Sequence, residues 1–350
     1  MLNPKKIIFL TIGEAGYSRS WTYFNGAKKF GANVEFKRIN SNKLIKQFLQ
    51  MKQQFSKDSI FVVMSPSHYL VPLTRIFLGK NIYLDAGWSL FEGSIITRRQ
   101  LGFMGINAVK IYAIDFIASV FAQRIVLESN AQKFFYSRLL LVRQKKCFVI
   151  YTGVDEEQFK INQDFQTPLD LFNNSKIILY RGKYTAEAGL EVLAEASKLL
   201  CAEEITLWVF SPGIPKNLEF SKNTIVINEF VESKQNLAKI YAKAKLTLGQ
   251  LSNHPRLSRT IPHKAYESAF LSKPYLSART KGILELFSEG REIFCFNPGD
   301  PQDLANKIKL FFTKPSDFEK FGANMRSKYD SDLSQSKLSA RFIHLTGETA

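Results

Sequence analysis

The feature that most constrains the fold of this chain is an alternation of short apolar runs with amphipathic helical segments. Parallel strands that are buried on both faces read as such runs, and each is joined to the next by a crossover helix. In the first half, the alternation predicts a doubly wound parallel sheet with strands over residues 7–12, 34–36, 60–64, 82–84, 125–127 and 147–151.

The alternation restarts in the second half, after a polar stretch at residues 153–175 that is predicted to be a linker. We therefore predict two Rossmann-like, doubly wound α/β domains, residues 1–152 and 176–315, followed by C-terminal helices over residues 316–350. Open sheets bind ligands beyond the carboxyl ends of their strands, so two facing sheets predict a cleft. The strands predicted in the second half cover residues 177–180, 205–210, 224–227, 246–248 and 293–296, and the helices between them cover residues 190–200, 236–244 and 264–270.

The chain carries 48 Lys and Arg against 31 Asp and Glu, and the basic excess lies in one half. Residues 1–150 hold 22 basic and 7 acidic residues, a net charge of +15, whereas residues 151–350 have a net charge of +2. This asymmetry indicates an anionic partner, either a membrane surface or nucleic acid, or solubility through net charge. The cations are scattered and the sequence has no helix-turn-helix, RRM or zinc pattern, which disfavours nucleic acid.

Three widely separated cysteines, Cys147, Cys201 and Cys295, favour neither a zinc knuckle nor a disulfide framework. With no visible secretory signal, a reducing, cytoplasmic setting is expected. The longest apolar stretch, residues 101–122, contains Lys110 and Asp115 and is predicted to be a buried or interfacial helix rather than a membrane span.

Two loops that follow predicted strands carry glycines. Gly13 and Gly16 come directly after the first strand, where they either approach a ligand or form a tight turn. Arg181, Gly182 and Lys183 leave the first strand of the second half and enter a helix whose N-terminus attracts anions. The two cations are predicted to neutralise a diphosphate, and a solvated basic turn is the alternative.

The densest group of candidate binding residues lies at residues 252–281, around a helix entry at Pro262. Arg259 precedes this helix, and Lys264 and Glu267 lie three residues apart on one of its faces. A carboxylate one turn into a helix accepts hydrogen bonds from vicinal hydroxyls, while nearby cations hold phosphate. The alternative is an exposed helix with an ion pair.

Two segments of the sequence resemble specific motifs of a known family. Residues 149–159 (VIYTGVDEEQF) resemble the "NGVD…F" stretch at the domain junction of the group-one (family four) glycosyltransferases of the GT-B fold. Residues 261–274 (IPHKAYESAFLSKP) resemble the family's "P-x-K-x-x-E" helix and the "G-K-P" that follows it. Gly182 to Gly189 stands at the family's "GR…KG" loop, and residues 281–285 and 297–301 match later landmarks.

The resemblance implies a nucleotide-diphosphate sugar donor bound mainly by the second domain and an acceptor held by the first. By position, Glu267 would bind the ribose hydroxyls, and Lys183, helped by Arg181, would face the diphosphate. Fixed cations would then stabilise the leaving group without a metal, so no cofactor is implied beyond the donor as co-substrate. Family members usually retain the anomeric configuration.

Two positions depart from the family pattern. Ala188 stands where the family has a phosphate-binding lysine, and Arg259 stands where it has the first glutamate of its Glu-x7-Glu pattern. Either these contacts are redistributed, for example to Arg259 and Lys264, or activity is weak or lost. The dense cationic cluster favours redistribution.

His68 and Asp85 each follow a predicted strand of the first half, at its carboxyl end. The resemblance makes His68 the candidate that contacts the donor sugar, and Asp85 is the candidate that meets the acceptor. Both are predicted as catalytic, with a cap or turn role as the alternative. The Asp-x-Asp at residues 330–332 lies in the terminal helical region and is predicted to be a surface turn or cap, and no metal site is predicted.

The leading hypothesis is a cytoplasmic glycosyltransferase that works peripherally at the inner membrane face on a lipid-linked or polysaccharide acceptor. Anionic lipid would be bound by the basic N-terminal half. The alternatives are a nucleotide-sugar epimerase of the same fold and a non-enzymatic, nucleic-acid-binding protein.

Overall fold

The computed structural model describes residues 5–12, 18–97, 105–161 and 176–347. The chain divides into a first unit, Met1–Gly153 with Gln335–Ala350, and a second unit, Val154–Ser334. Gly13 and Gly16 lie outside the described residues.

The first unit is built on a six-stranded parallel sheet with the order β2-β1-β3-β4-β5-β6. Ile8 and Leu10 of β1 pack into one hydrophobic core, and Ile7 and Phe9 pack into another, because successive side chains of a strand point to opposite faces of the sheet. A strand of this kind is apolar at every position, which explains why the sequence shows runs rather than alternation. The strands are β1 (Ile7–Thr11), β2 (Val34–Arg38), β3 (Ile60–Met64), β4 (Ile82–Gly87), β5 (Arg124–Leu127) and β6 (Cys147–Val149).

The crossover helices of this sheet are α1 (Ser18–Lys29), α2 (Leu44–Gln54), α3 (Leu70–Phe77), α4 (Ile106–Phe121) and α5 (Asn130–Leu139). Ser129 caps α5 by accepting a hydrogen bond from the amide of Gln132. Shorter turns are Ser41–Lys43 and Gln144–Lys146, which are 3₁₀, and Glu92–Thr97, which is π-helical.

The second unit has its own six-stranded parallel sheet, with the order β12-β11-β10-β7-β8-β9. The strands are β7 (Ile177–Arg181), β8 (Thr206–Phe210), β9 (Thr224–Ile227), β10 (Leu246–Leu248), β11 (Tyr275–Ala278) and β12 (Phe294–Phe296). The helices are α6 (Leu190–Leu199), α7 (Lys234–Lys243), α8 (His263–Phe270), α9 (Lys281–Leu284), α10 (Pro301–Thr313) and α11 (Pro315–Lys328), followed by a π-helical turn at Tyr329–Leu333 and by α12 (Gln335–Gly347).

Strand β11 is missing from the prediction made from the sequence, which is wrong at this position. It has only four residues and includes Ser277 and the small Ala278, so it gives no apolar run long enough to be recognised. The strand is nevertheless fully buried, because it lies between β10 and β12.

The C-terminal helices, which the sequence analysis groups over residues 316–350, are shared between the units. Helix α11 belongs to the second unit, whereas α12 belongs to the first and packs along α1. The ring of Phe342 stacks on that of Tyr23 with 5.4 Å between centroids, and a methyl group at Gly26 would collide with Ser339.

The described part of the predicted linker, residues 153–161, is partly buried. Val154, Asp155 and Phe159 are buried, and the ring of Phe159 lies 5.9 Å from that of Tyr241.

The fold class is confirmed: the chain consists of two Rossmann-like, doubly wound parallel sheets.

Candidate functional site

The switch point of the second sheet lies between β7 and β10. Strands β8 and β9 extend the sheet on one side of β7, and β10, β11 and β12 extend it on the other. Open α/β sheets bind ligands at the carboxyl ends of the strands beside such a point. The loops that leave β7 and β10 there contain most of the residues predicted for donor binding.

These two loops meet backbone to backbone at Gly189, which caps α6 with φ +72°. A Cβ atom at this position would lie 2.5 Å from the amide nitrogen of Ser252. The amide of Leu251 donates to the carbonyl of Ala188 at 3.1 Å, and the hydroxyl of Ser252 donates to the carbonyl of Glu187 at 3.0 Å. Only glycine fits this junction, which fixes the N-terminus of α6 at the switch point.

Glu267, in the second turn of α8, has both carboxylate oxygens engaged. Oε2 accepts hydrogen bonds from Nε of Arg181 at 2.8 Å and from the hydroxyl of Tyr241 at 2.7 Å. Oε1 pairs with Nδ1 of His263 at 2.9 Å and with Nη2 of Arg181. The last residue of β7 is thus tied to α8 by a bidentate ion pair.

This ion pair determines the charge of the site. Burial alone would raise the pKa of Glu267, but the charges of Arg181 and His263 outweigh it and lower the pKa to about 2. The carboxylate therefore stays ionised at neutral pH. Glu267 is 3% exposed, whereas the side chain of Arg181 is 25% exposed, so the guanidinium is the member of the pair that solvent reaches.

Lys264 is a second cation beside the pair, and it is buried. Its Nζ donates to the carbonyl of Gly249 at 3.1 Å and lies 4.0 Å from the centre of the Tyr180 ring. Burial, followed by the charge of Arg181, lowers the pKa of Lys264 well below its usual value. Gly182 lies beside this lysine with φ +148°, a backbone conformation that favours glycine, and a Cβ atom there would be in ordinary contact with Nζ at 3.4 Å.

The structure therefore brings together four predicted donor-binding residues: Arg181, Gly182, Lys264 and Glu267. Lys183 lies in the same loop with an exposed side chain. Arg259 is half-buried after the turn Pro255–Ser258, with Nη1 3.4 Å from the hydroxyl of Ser258.

Asp85, predicted as catalytic, lies at the carboxyl end of β4 and is 2% exposed. Its Oδ1 accepts a hydrogen bond from Nε of Arg19 at 2.8 Å, and Nη1 of Arg19 donates to the carbonyl of Ile150 at 2.8 Å. Burial raises the pKa of Asp85 against the attraction of Arg19. The pair links α1, β4 and the segment that follows β6.

His68, the other predicted catalytic residue, follows β3 and is fully buried. Its Nε2 lies 3.6 Å from Oδ1 of Asp115 on α4. Burial lowers the pKa of His68, although the charge of Asp115 opposes that shift. The catalytic roles of His68 and Asp85 stay predictions, and both side chains are enclosed.

Two residues of the Glu267 network were given no individual role by the sequence analysis. His263 precedes Glu267 by four residues, so the helical spacing was a usable signal for their contact. Tyr241 lies on α7, 26 residues before Glu267 in the chain. Only the topology of the sheet brings these two side chains together, and no local pattern indicates it.

The Asp-x-Asp sequence at residues 330–332 forms ion pairs along its own helical segment. Asp330 pairs with Arg326 at 2.9 Å, and Asp332 pairs with Lys328 at 2.8 Å. Each partner precedes its acid by four residues, as expected for the surface of a helix.

Part of the chain matches the model of a known protein family. Residues 175–314 match the model of the family "Glycosyl transferases group 1". This confirms, for these residues, the resemblance to the group-one glycosyltransferases found in the sequence, and the fold is that of the GT-B class. The match covers the switch point and every residue of the Glu267 network.

Several solved structures share the fold over nearly the whole chain. The Anabaena protein Alr3699/HepE, in complex with UDP-glucose, has a TM-score of 0.69 and 15% identity, with 99% of this chain and 100% of that one covered. Sucrose-phosphate synthase from Thermosynechococcus elongatus has a TM-score of 0.71 and 12% identity, with 99% of both chains covered. A glycosyltransferase from Rickettsia africae has a TM-score of 0.69 and 16% identity, with 99% of this chain and 98% of that one covered.

A search of curated proteins finds no match to the chain. Among the described residues, no helix combines the length and apolar character that crossing a membrane requires.

Proposed function

We propose that the chain transfers a sugar from a nucleotide-diphosphate sugar, bound at the switch point of the second unit, to a glycan acceptor. The observation that carries the proposal is the ionised carboxylate of Glu267 beside Arg181 and Lys264, at the edge of the sheet where such folds bind ligands. A carboxylate accepts hydrogen bonds from the two ribose hydroxyls, and cations bind the diphosphate.

In the proposed reaction, the bond between the anomeric carbon and the β-phosphate oxygen breaks, the oxygen of an acceptor hydroxyl forms the new bond to that carbon, and the hydroxyl proton passes to the departing diphosphate. Negative charge develops on the departing diphosphate. Arg181, the last residue of β7, is partly exposed and Lys183, two residues further on, is exposed, so both can meet this charge. Cations that are already fixed in place stabilise the leaving group without reorganisation, so we propose that the reaction proceeds without a metal ion.

The stereochemistry and the acceptor are proposed from other observations. Retention of the anomeric configuration is proposed from the family resemblance. A lipid-linked or polysaccharide acceptor, with the protein peripheral at the cytoplasmic face of the inner membrane, is proposed because residues 1–150 have a net charge of +15. Alr3699/HepE was crystallised with UDP and with UDP-glucose, which makes uridine diphosphate sugars the first donors to test.

The test is a thermal-shift panel of UDP-, GDP-, ADP- and CMP-sugars, followed by nucleotide release and transfer of labelled sugar to acceptor. A donor at 100 times its dissociation constant stabilises the folded protein by about 2.7 kcal/mol, which is readily measured. We expect one nucleotide class to shift the melting curve and Glu267→Gln to abolish that shift.

Glu195→Gln is the matched control, because Glu195 is an exposed glutamate that ion-pairs with Lys198 on α6. The proposal is wrong if no donor shifts the wild type, or if Glu267→Gln responds like Glu195→Gln. If the label stays on the nucleotide and the sugar changes configuration, the chain is an epimerase.

A further inference from the structure

Helix α4 has two of its polar side chains, those of Asp115 and Ser119, turned into the first unit. The buried carboxylate of Asp115 accepts hydrogen bonds from the hydroxyl of Ser89 at 2.6 Å and from the amide of Phe91 at 2.9 Å. One turn further on, Ser119 is buried, and its hydroxyl lies 2.7 Å from the hydroxyl of Tyr136. The inner side of α4 therefore carries groups that a surface helix normally turns towards water.

The outer side of α4 carries large apolar side chains. They lie on one side of a helix of 16 residues, about 24 Å long, in two groups at residues 106–109 and 116–121, with the exposed Lys110 between them. Ile106 is 89% exposed and Val109 is 67% exposed, which are high values for aliphatic side chains. The two groups consist of Ile106, Val109, Phe116, Ile117, Val120 and Phe121, and we refer to them together as the α4 apolar face.

The charges around this face have one sign. Within residues 105–146 the only acidic residues are Asp115 and Glu128, and both are buried. Nζ of Lys146 donates to the carbonyls of Ser119 and Val120, so a cation lies at the C-terminal end of the face. The basic residues of this range are Lys110, Arg124, Lys133, Arg138, Arg143, Lys145 and Lys146.

Helix α5 and the residues just beyond it also combine exposed apolar side chains with basic ones. The hydroxyl of Tyr112 on α4 donates to the carbonyl of Leu139 at 3.0 Å, which joins α4 to the C-terminal end of α5. Just beyond α5, Leu141 is 82% exposed. Phe134 is also exposed, and the guanidinium of Arg138 lies 4.0 Å from the centre of its ring.

The chemistry of this surface separates two possible occupants. A second copy of the chain, paired symmetrically through the α4 apolar face, would bring two sets of basic residues together, which is repulsive. An anionic lipid surface offers acyl chains to the α4 apolar face and negative head groups to the cations at the same time.

We propose that the α4 apolar face, with Lys110 and the basic residues at 143–146, is the membrane-docking surface of this protein and binds anionic bilayers. The helix lies in the plane of the interface, with the α4 apolar face at the boundary between head groups and acyl chains. This deepens the proposed function, on which it rests, because a lipid-linked acceptor is accessible only to an enzyme held at the bilayer.

The test measures cosedimentation of the full chain with vesicles of phosphatidylcholine alone and with vesicles that contain phosphatidylglycerol. We expect binding to the anionic vesicles and a loss of about tenfold or more in apparent affinity for the double variant Ile106→Glu/Val109→Glu. The loss is expected because two carboxylates would have to be desolvated at the acyl boundary.

The matched control is Ile45→Glu/Leu49→Glu. These are also exposed apolar residues of the first unit, on α2, and we expect their variant to bind vesicles like the wild type. Circular dichroism and the donor-induced thermal shift check that both variants are folded with an intact donor site. Failure of the docking proposal is therefore distinguishable from failure of the proposed donor site.

Three outcomes would overturn the proposal: the wild type fails to bind anionic vesicles, Ile106→Glu/Val109→Glu binds them like the wild type, or both double variants lose binding equally. A change from dimer to monomer in Ile106→Glu/Val109→Glu with unaltered vesicle binding would also overturn it, and would assign the face to a second copy.

Discussion

The two units of this chain have sheets of the same kind and place their charged residues differently. In both, a strand early in the unit lies inside the sheet, and the chain winds away from it on both sides. At the carboxyl edge of the first sheet, the pair of Arg19 and Asp85 is 5% and 2% exposed. At the same edge of the second sheet, Arg181 is 25% exposed beside the buried Glu267.

The difference shows that an ion pair at this edge has two uses. The pair in the first unit is enclosed and hydrogen-bonded to the backbone of Ile150, so it ties elements of the fold together. The pair in the second unit leaves its cation partly open, beside a loop whose glycines allow close approach. An arginine–carboxylate ion pair therefore stabilises the fold in the first unit and, as we propose, binds the donor in the second.

The largest expected effect comes from Arg19→Ala. This change leaves the carboxylate of Asp85 buried without its cation, which costs about 3–5 kcal/mol. Urea unfolding should show the loss, and Asp85→Ala in the same chain should restore part of it. Arg291→Ala, which removes a 76% exposed arginine from its pair with Glu292, should cost no more than about 0.5 kcal/mol. Equal losses of unfolding free energy in Arg19→Ala and Arg291→Ala would mean that the enclosed pair of Arg19 and Asp85 does not stabilise the fold.

The pH dependence of stability comes next. The pKa of Glu267 is about 2 in the folded chain and 4.5 ordinarily, so its contribution is complete above about pH 4.5 and is lost as the pH falls towards 2. The shift corresponds to about 3 kcal/mol. The difference in unfolding free energy between the wild type and Glu267→Gln should shrink by about this amount between pH 5 and pH 2. A pH-independent difference would contradict an ionised carboxylate held by Arg181.

Gly189→Ala tests the junction between the two loops. The added methyl group meets the backbone of Ser252 at a left-handed position, so we expect a loss of about 2 kcal/mol and weaker donor binding. The control is Gly290→Ala, which has φ +79° and nothing within 4 Å of the added carbon, and should cost about 1 kcal/mol. Denaturation and donor titration are measured for both variants. Gly189→Ala reports backbone strain together with the clash against Ser252, whereas Gly290→Ala reports backbone strain alone. Identical results for the two variants would show that the close approach at Gly189 does not contribute to stability or donor binding.

The smallest expected effect is that of Tyr241→Phe. It deletes a single hydroxyl that donates to Glu267, worth about 1 kcal/mol, and should weaken donor binding about fivefold. Isothermal titration would measure it. Tyr184→Phe deletes a hydroxyl that donates to Glu191 in an exposed pair, and serves as the control. Unchanged donor affinity in Tyr241→Phe would show that Glu267 is held without this tyrosine.

The sequence predicted those parts of the fold that have a local signature. Strands β1 and β3 are five-residue runs of buried side chains and were placed with at most one residue of error. Strand β11 has no such run, and its burial comes from its neighbours in the sheet. The packing of α12 on α1 could not be predicted from local sequence patterns either, because it joins residues more than 300 positions apart, such as Ser339 and Thr22.

In the candidate site, too, some contacts follow from local sequence and others depend on the topology of the sheet. Lys264 and Glu267 are close in sequence on one helix, and their proximity follows from helical spacing. The contacts of Glu267 with Arg181 and Tyr241 span 86 and 26 residues, so they depend on the order of the strands. The enclosure of His68 and Asp85 was not foreseeable either, because a residue after a strand is buried or exposed according to what packs over it.

The return of α12 to the first unit has a consequence for biosynthesis. The second unit, Val154–Ser334, is complete in sequence before α12 emerges from a ribosome, whereas the core around Phe9 and Tyr23 still lacks Phe342. Of the two units, the one translated first is therefore the last to close, and a nascent chain exposes this aromatic surface to chaperones until translation has passed residue 342. A premature stop just before α12 would leave the second unit whole and the first open.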